Sequence, residues 1–168
     1  MKIGKKRIED FLKEVASKTP TPGGGAAAAL VGALAASLVE MVCNLSIGKK
    51  GYEKKSQALK SIKFKAANLK EKLLVLADQD AIAFDNVMKA YRLKNRNNIK
   101  KALLTATNIP SQTAKLAKEV SGLAVKVAKL GNKNAYSDAI CAQHLASSSF
   151  ESAYENIKIN KKTLASLK

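Results

Sequence analysis

The sequence predicts an all-α fold, a bundle of long antiparallel helices, on three observations. No stretch alternates apolar and polar residues with period two over a useful length. Alanine, leucine and lysine dominate, a composition that favours helix. Glycine and proline are sparse, nine and three in 168 residues, so few breaks interrupt the helical blocks. A chain of this length suits a single domain, taken here as 1–168.

Five blocks are expected. The first, Ile8 to Ser17, is short and amphipathic, with Ile8, Phe11, Leu12 and Val15 on one face. The second starts within Gly23–Gly25 and runs to about Ile47, where "IGKKGY" breaks it. The third runs from about Tyr52 to Arg92 with no Gly or Pro inside, and the asparagines of "KNRNN" end it. The fourth, from about Asn98 to Leu130, holds Pro110, which removes a backbone donor and predicts a kink or break. Gly131 suits a helix C-cap, and the fifth block follows from near Ser137, an expected N-cap, to about Leu164.

The second block, "PGGGAAAALVGALAASLVEMVC", admits three readings. It is long enough to span a membrane, but alanine and glycine are weakly apolar and Glu40 sits inside; no second span exists, so no membrane partner is expected. Three glycines at a helix start could expose N–H groups to an anion, yet no Lys-Ser/Thr follows them and no strand precedes. Close packing explains the pattern best. Ala28, Gly32 and Ala36 form one ridge of small residues, with Ala29, Ala33 and Ser37 beside it. The helix is expected at the centre of the subunit, against other helices or its own copy in a homodimer. One glycine would serve a turn; three suggest a loop that something approaches closely.

Net charge is +17, which favours anionic partners. Cys43 and Cys141 lie far apart in apolar helical stretches, without CxxC or CxxH spacing. Buried reduced thiols, no metal and a cytoplasmic setting are expected. The basic start mixes Glu and Asp among its apolar residues and lacks the continuous apolar core of a signal peptide. His144, the only histidine, cannot make a metal site alone and is read as structural or superficial.

The third block carries the sharpest chemical signal. Leu69, Leu73, Leu76, Ala83, Val87 and Tyr91 recur at helical spacing, and Asp80 fills a gap in that stripe; Asp78 and Asp85 face the polar side. A carboxylate on a buried face is costly unless paired, and burial raises its pKa toward the range of a general acid or base. The structural alternative is an Asp tied to a lysine or a backbone amide. Asn156 and Asn160, one turn apart, could hydrogen-bond a polar heterocycle or helix ends; Asp138 suits a helix start.

Four segments in order, "FLKEVASKTPTPGGGAAAALVGALAASLVEMVCNLSIGKKGY", "DQDAIAFDNVMKAYRL", "GNKNAYSDAI" and "YENIKINKKTL", resemble the cyclodeaminase/cyclohydrolase family, the domain at the C-terminal end of formiminotransferase-cyclodeaminase. The resemblance covers nearly the whole chain. It implies a dimerising all-helical subunit with a folate pocket at or near the interface. The implied activity is conversion of 5-formiminotetrahydrofolate to 5,10-methenyltetrahydrofolate plus ammonia; some stand-alone members instead interconvert the 5,10-methenyl and 10-formyl forms. It places the catalytic aspartate at Asp80 and substrate-binding groups at Gly23, Gly24, Gly25, Asp138, Asn156 and Asn160. Two departures are Ala26, where a serine commonly follows the glycines, and Lys94, where a proline is frequent.

On this reading the chain is a formiminotetrahydrofolate cyclodeaminase, or alternatively a methenyltetrahydrofolate cyclohydrolase, with a tetrahydrofolate derivative as substrate and no permanently bound cofactor. Asp80 would move the protons, and a lysine-rich rim including Lys49, Lys50, Lys54 and Lys55 would hold a polyglutamate tail; each lysine could equally belong to a solvated basic face. Two rival functions follow from the same charge: a helical nucleic-acid binder, for which no recognition signature or aromatic platform is present, and a folate-binding relative without catalysis. A nucleic-acid partner is accordingly not expected.

Overall fold

The computed structural model describes residues 2–167, and it is all-helical among them. Five α-helices follow in order: α1 Ile8–Val15, α2 Gly24–Asn44, α3 Ser56–Arg92, α4 Arg96–Leu130 and α5 Tyr136–Ser166. Short 3-10 turns precede α1, α3 and α5. The four long helices form the bundle, with α2 packed against α3, α4 and α5.

Both small-residue ridges on α2 are spent on this packing. Ala28, Ala29, Gly32, Ala33 and Ala36 are all buried. A Cβ on Gly32 would meet Ser149 Oγ at 2.8 Å and Leu73 Cδ1 at 3.3 Å, so the glycine lets α3 and α5 close on α2. Ser149, fully buried on α5, donates to the Ala28 carbonyl at 2.7 Å. Glu40 forms an ion pair with Lys70 of α3 at 2.8 Å. By length and mean hydropathy (2.0) α2 could cross a membrane, but 56% of its most apolar window is buried inside the bundle.

Several local expectations are corrected. The break expected at Pro110 is absent: α4 runs on through it as one helix, with the ring completely buried in the bundle. Ser137 lies inside the first turn of α5 rather than capping it; the N-cap is Ala135, without a side-chain bond. Gly131 does end α4, but with φ −77° and ψ −178°, an extended geometry open to any residue. Its need for glycine is spatial: a Cβ would lie 2.7 Å from Val42 Cγ1. Of the face expected on α1, only Phe11 is buried, whereas Ile8, Leu12 and Val15 are exposed. Cys43 is buried, and burial pushes its thiol up to about 11, but Cys141 is exposed. It falls off the buried row Ala139, Ala142, Ala146, Ser149, Ala153 that faces the core.

The α3–α4 joint is sharp. Lys94 takes a left-handed conformation, φ +50°, which the ring of a proline could not adopt. Asn95 then caps α4 by accepting from the Asn98 amide at 3.0 Å. At the opposite end of the bundle, Asn132 is a polar hub. Its amide donates to Ser46 Oγ at 2.7 Å, its Nδ2 to the Leu45 carbonyl at 3.2 Å, and its Oδ1 accepts from Lys49 Nζ and the Asn134 amide.

Candidate active site

The first residues of α2 and the C-terminal half of α3 meet at Asp80. Gly25 lies directly against its carboxyl group, and the Ala26 backbone N–H meets that carboxylate. A side chain at position 25 would occupy the space the carboxyl fills. Asp80 is thus held at the positive end of α2, where exposed backbone amides favour an anion. Burial acts in the opposite sense and is the larger effect, so the pKa is raised from the ordinary 3.8. The backbone bond limits that rise without cancelling it.

Asp80 opens into a cavity of about 380 Å³ at one end of the bundle. Gly23, Gly24 and Gly25, with Pro20 and Thr21 before them, make one wall. α3 supplies Ala83, Phe84, Val87, Met88 and Tyr91, which together with Asp80 lie along one helical face. Leu103 and Ala106 of α4 and Asn156, Ile159, Asn160 and Thr163 of α5 complete it. The result is a largely apolar slot with one carboxyl group and two carboxamides, suited to a flat, partly polar molecule. Two larger surface grooves, about 550 and 590 Å³, lie between α3 and α4 and beside the N-terminal segment; neither contains Asp80.

Six of the residues named from the sequence therefore share one cavity: Asp80, Gly23, Gly24, Gly25, Asn156 and Asn160. Asp138, Lys49 and Lys50 do not line it. Asp138 is in the first turn of α5, some 18 residues and roughly 27 Å of helix from Asn156. Lys49 and Lys50 follow the far end of α2, and Lys49 is engaged with Asn132. Asp78 faces away from Asp80 as expected but is not simply solvated: its Oδ1 accepts from the Ile3 amide at 2.6 Å and ties the N-terminal segment to α3. His144 is exposed. Among the described residues, no group of three or more His, Cys, Asp or Glu side chains gathers in a way that could hold a metal ion.

Ala83, Val87 and Tyr91 belong to the apolar stripe legible in the sequence, but as a buried face rather than a cavity lining, and Phe84 and Met88 escape that reading although the signal is present. Stepping from Asp80 by three, four, seven and eleven residues gives Ala83, Phe84, Val87 and Tyr91, all of which line the cavity. The contributions of Leu103 and Thr163 carry no comparable local signature.

The sequence signature described as formiminotransferase-cyclodeaminase matches residues 7–167. A methenyltetrahydrofolate cyclohydrolase from Methylorubrum extorquens is 44% identical, over 96% of this chain and 82% of that protein. Formimidoyltransferase-cyclodeaminases from Dictyostelium discoideum and Mus musculus are 30% and 28% identical, and the chain spans only 29% and 31% of their lengths. The crystal structure of a formiminotetrahydrofolate cyclodeaminase from Thermotoga maritima superposes with a TM-score of 0.92 at 35% identity, covering 96% of this chain and 81% of that one. With the family signature spanning nearly all of the chain and a relative of similar length at this identity, the protein belongs to the formiminotransferase-cyclodeaminase family.

Proposed function

We propose that this protein is a methenyltetrahydrofolate cyclohydrolase, adding water to 5,10-methenyltetrahydrofolate to give 10-formyltetrahydrofolate. The observation that carries the reading is Asp80, a half-buried carboxyl group of raised pKa wedged between the glycine wall and an apolar slot. The 44% identical relative of similar length carries the name of this activity, which favours it over the cyclodeaminase reaction first expected.

The chemistry asks for one group that both takes and returns a proton. Water attacks the carbon bridging N5 and N10, and Asp80 accepts a proton from it. The resulting carbinolamine collapses: its C–N5 bond breaks, the hydroxyl becomes the formyl carbonyl on N10, and N5 is protonated. One proton is released overall. A carboxyl group whose pKa is raised toward the working pH serves both halves better than an ordinary one. The apolar slot and the backbone wall position a substrate that is already electrophilic.

The enzyme is expected to act as a homodimer through α2. Ala27, Val31, Leu34, Leu38, Met41 and Leu45 recur at alternating intervals of four and three residues, and all are half-buried or exposed. That uncharged stripe has the spacing of a helix–helix seam. Antiparallel pairing of two copies of α2 would carry the partner's Lys49 and Lys50 to the glycine end. This accounts for substrate-binding residues that lie too far away within one subunit, and it supplies cations for a polyglutamate tail.

Supplying 5,10-methenyl- and 5-formiminotetrahydrofolate separately, and following methenyl absorbance, tests the assignment. Loss of the first signal above the buffer rate supports the cyclohydrolase. Appearance of the signal from the second, with no effect on the first, overturns it in favour of the cyclodeaminase.

A further inference from the structure

Pro110 interrupts the hydrogen-bond ladder of α4 without interrupting the helix. Lacking an N–H, it leaves the Ala106 carbonyl, four residues earlier, without its intrahelical donor, and its ring presses on that same carbonyl. The carbonyl is not left orphaned. Asn160 of α5 donates to it from Nδ2 at 2.9 Å across the helix interface. Ala106 and Asn160 both line the cavity that holds Asp80.

This bond decides which way the Asn160 carboxamide is turned. A carbonyl oxygen accepts and cannot donate, so the atom facing Ala106 must be the amide nitrogen. Oδ1 then lies on the other side of the group, and it has no hydrogen-bond partner among the described residues. Asn156, one turn earlier on the same helix, has no such lock: its Nδ2 bonds only back to the Ser152 carbonyl of α5 itself.

We infer that Pro110 is a positioning residue for substrate recognition, holding the Asn160 carboxamide by way of the Ala106 carbonyl so that Oδ1 serves as a fixed acceptor for an N–H group of the ligand. A reduced pterin ring, with its exocyclic amine and ring N–H groups, supplies donors of this kind; the inference thus rests on the proposed folate reading and deepens it. It also explains why a proline is tolerated in the interior of a 35-residue helix: the bond it removes within α4 is replaced by one from α5.

The test is a double-mutant cycle with Pro110→Ala and Asn160→Leu, read as KM and kcat for 5,10-methenyltetrahydrofolate, with helicity followed by circular dichroism. Alanine at 110 restores an N–H for Ala106 and releases Asn160. The expected result for Pro110→Ala is a KM raised about three- to tenfold with kcat within about twofold, in a protein of unchanged helicity. Asn160→Leu raises KM at least as much, and adding Pro110→Ala to it has no further effect. The idea is overturned by wild-type KM in Pro110→Ala, or by an equal further rise in the Asn160→Leu background. If Pro110→Ala were to lose its fold, binding of 5-formyltetrahydrofolate to Asn160→Asp decides instead. That side chain has no N–H for Ala106, so affinity should fall at least fivefold, and unchanged affinity overturns the inference. Asp80→Asn measured alongside separates the two levels. Full turnover in Asp80→Asn defeats the active-site assignment itself, whereas lost turnover there with an additive cycle defeats only the role of Pro110.

Discussion

Asp80 and Gly25 are fitted to one another: a Cβ on Gly25 would stand 2.5 Å from the Asp80 Cγ and 2.6 Å from its Oδ2. Gly25→Ala can be accommodated only by swinging the carboxyl group off the α2 terminus. The helix remains, since alanine is a good helix former. The expected outcome is native helicity with kcat/KM reduced by about 10²-fold, as displacements of about 1 Å at a reacting group produce. Gly24→Ala meets only Asn156 Nδ2, at 3.9 Å, and should cost far less in the same assay.

Replacing Asp80 separates catalysis from stability. Burial raises its pKa above the ordinary 3.8, so the native protein keeps a proton that the unfolded chain releases as pH climbs past that value. Stability therefore falls with rising pH from 3.8 to the raised pKa and stays lower above it. Asp80→Asn removes this loss. It should be more stable than wild type at pH 7 but not below pH 3.8 by urea unfolding, while turnover drops by about 10²–10⁴-fold.

Lys94 holds a left-handed conformation that costs an L-residue with a side chain about 1 kcal/mol. Lys94→Gly should raise stability by about that amount, roughly 2–4 °C in Tm for a domain of this size. Thermal unfolding followed at 222 nm reads it directly.

Asn132 binds the far ends of α2 and α4 through Leu45, Lys49 and Asn134. Asn132→Ala strips those bonds from a buried position and should destabilise the fold by about 1–3 kcal/mol. Because this hub lies at the other end of the bundle from Asp80, kcat at 25 °C should hold within about twofold, measured on the folded protein.

The stripe on α2 predicts assembly. Leu34 is 54% exposed in the single subunit, and Leu34→Glu places a charge in the middle of the proposed seam. Sedimentation should show a dimer for wild type and a monomer for the variant, with activity lost in parallel if the site draws on both subunits. A wild-type monomer at assay concentration would remove this part of the proposal.

Much of the fold was legible because period and composition were unambiguous: α2, α4 and α5 begin or end within about three residues of expectation, and α3 ends at Arg92 as expected. Asp80 was legible because a carboxylate interrupts a stripe of which Leu69, Leu73, Leu76, Ala83 and Val87 are indeed buried, while Tyr91 at its end is exposed. What escaped depended on partners remote in sequence. Pro110 reads as a kink or break in the sequence because the donor that compensates it sits 50 residues later, at Asn160. Gly131 has a conformational reason in the sequence when its real neighbour is Val42, and Cys141 reads as buried from its apolar neighbours Ala139, Ile140 and Ala142 although the face it occupies is exposed. In each case local propensity was sound and the tertiary neighbour decided.

Two parts of the cavity lining differ in how much they can give. Gly23, Gly24 and Gly25 have no χ angles, so that wall has one shape and moves only if the backbone does. Elsewhere in the lining, Phe84, Met88, Tyr91 and Ile159 carry rotatable side chains, and the last three are partly open to solvent. Selectivity is thereby split between the two parts of the lining. A bulky group that meets the glycines is refused outright, whereas one that meets the flexible side chains is accommodated by their rearrangement. A series of analogues substituted at one position and then another would trace this rigid and pliant pairing in their inhibition constants.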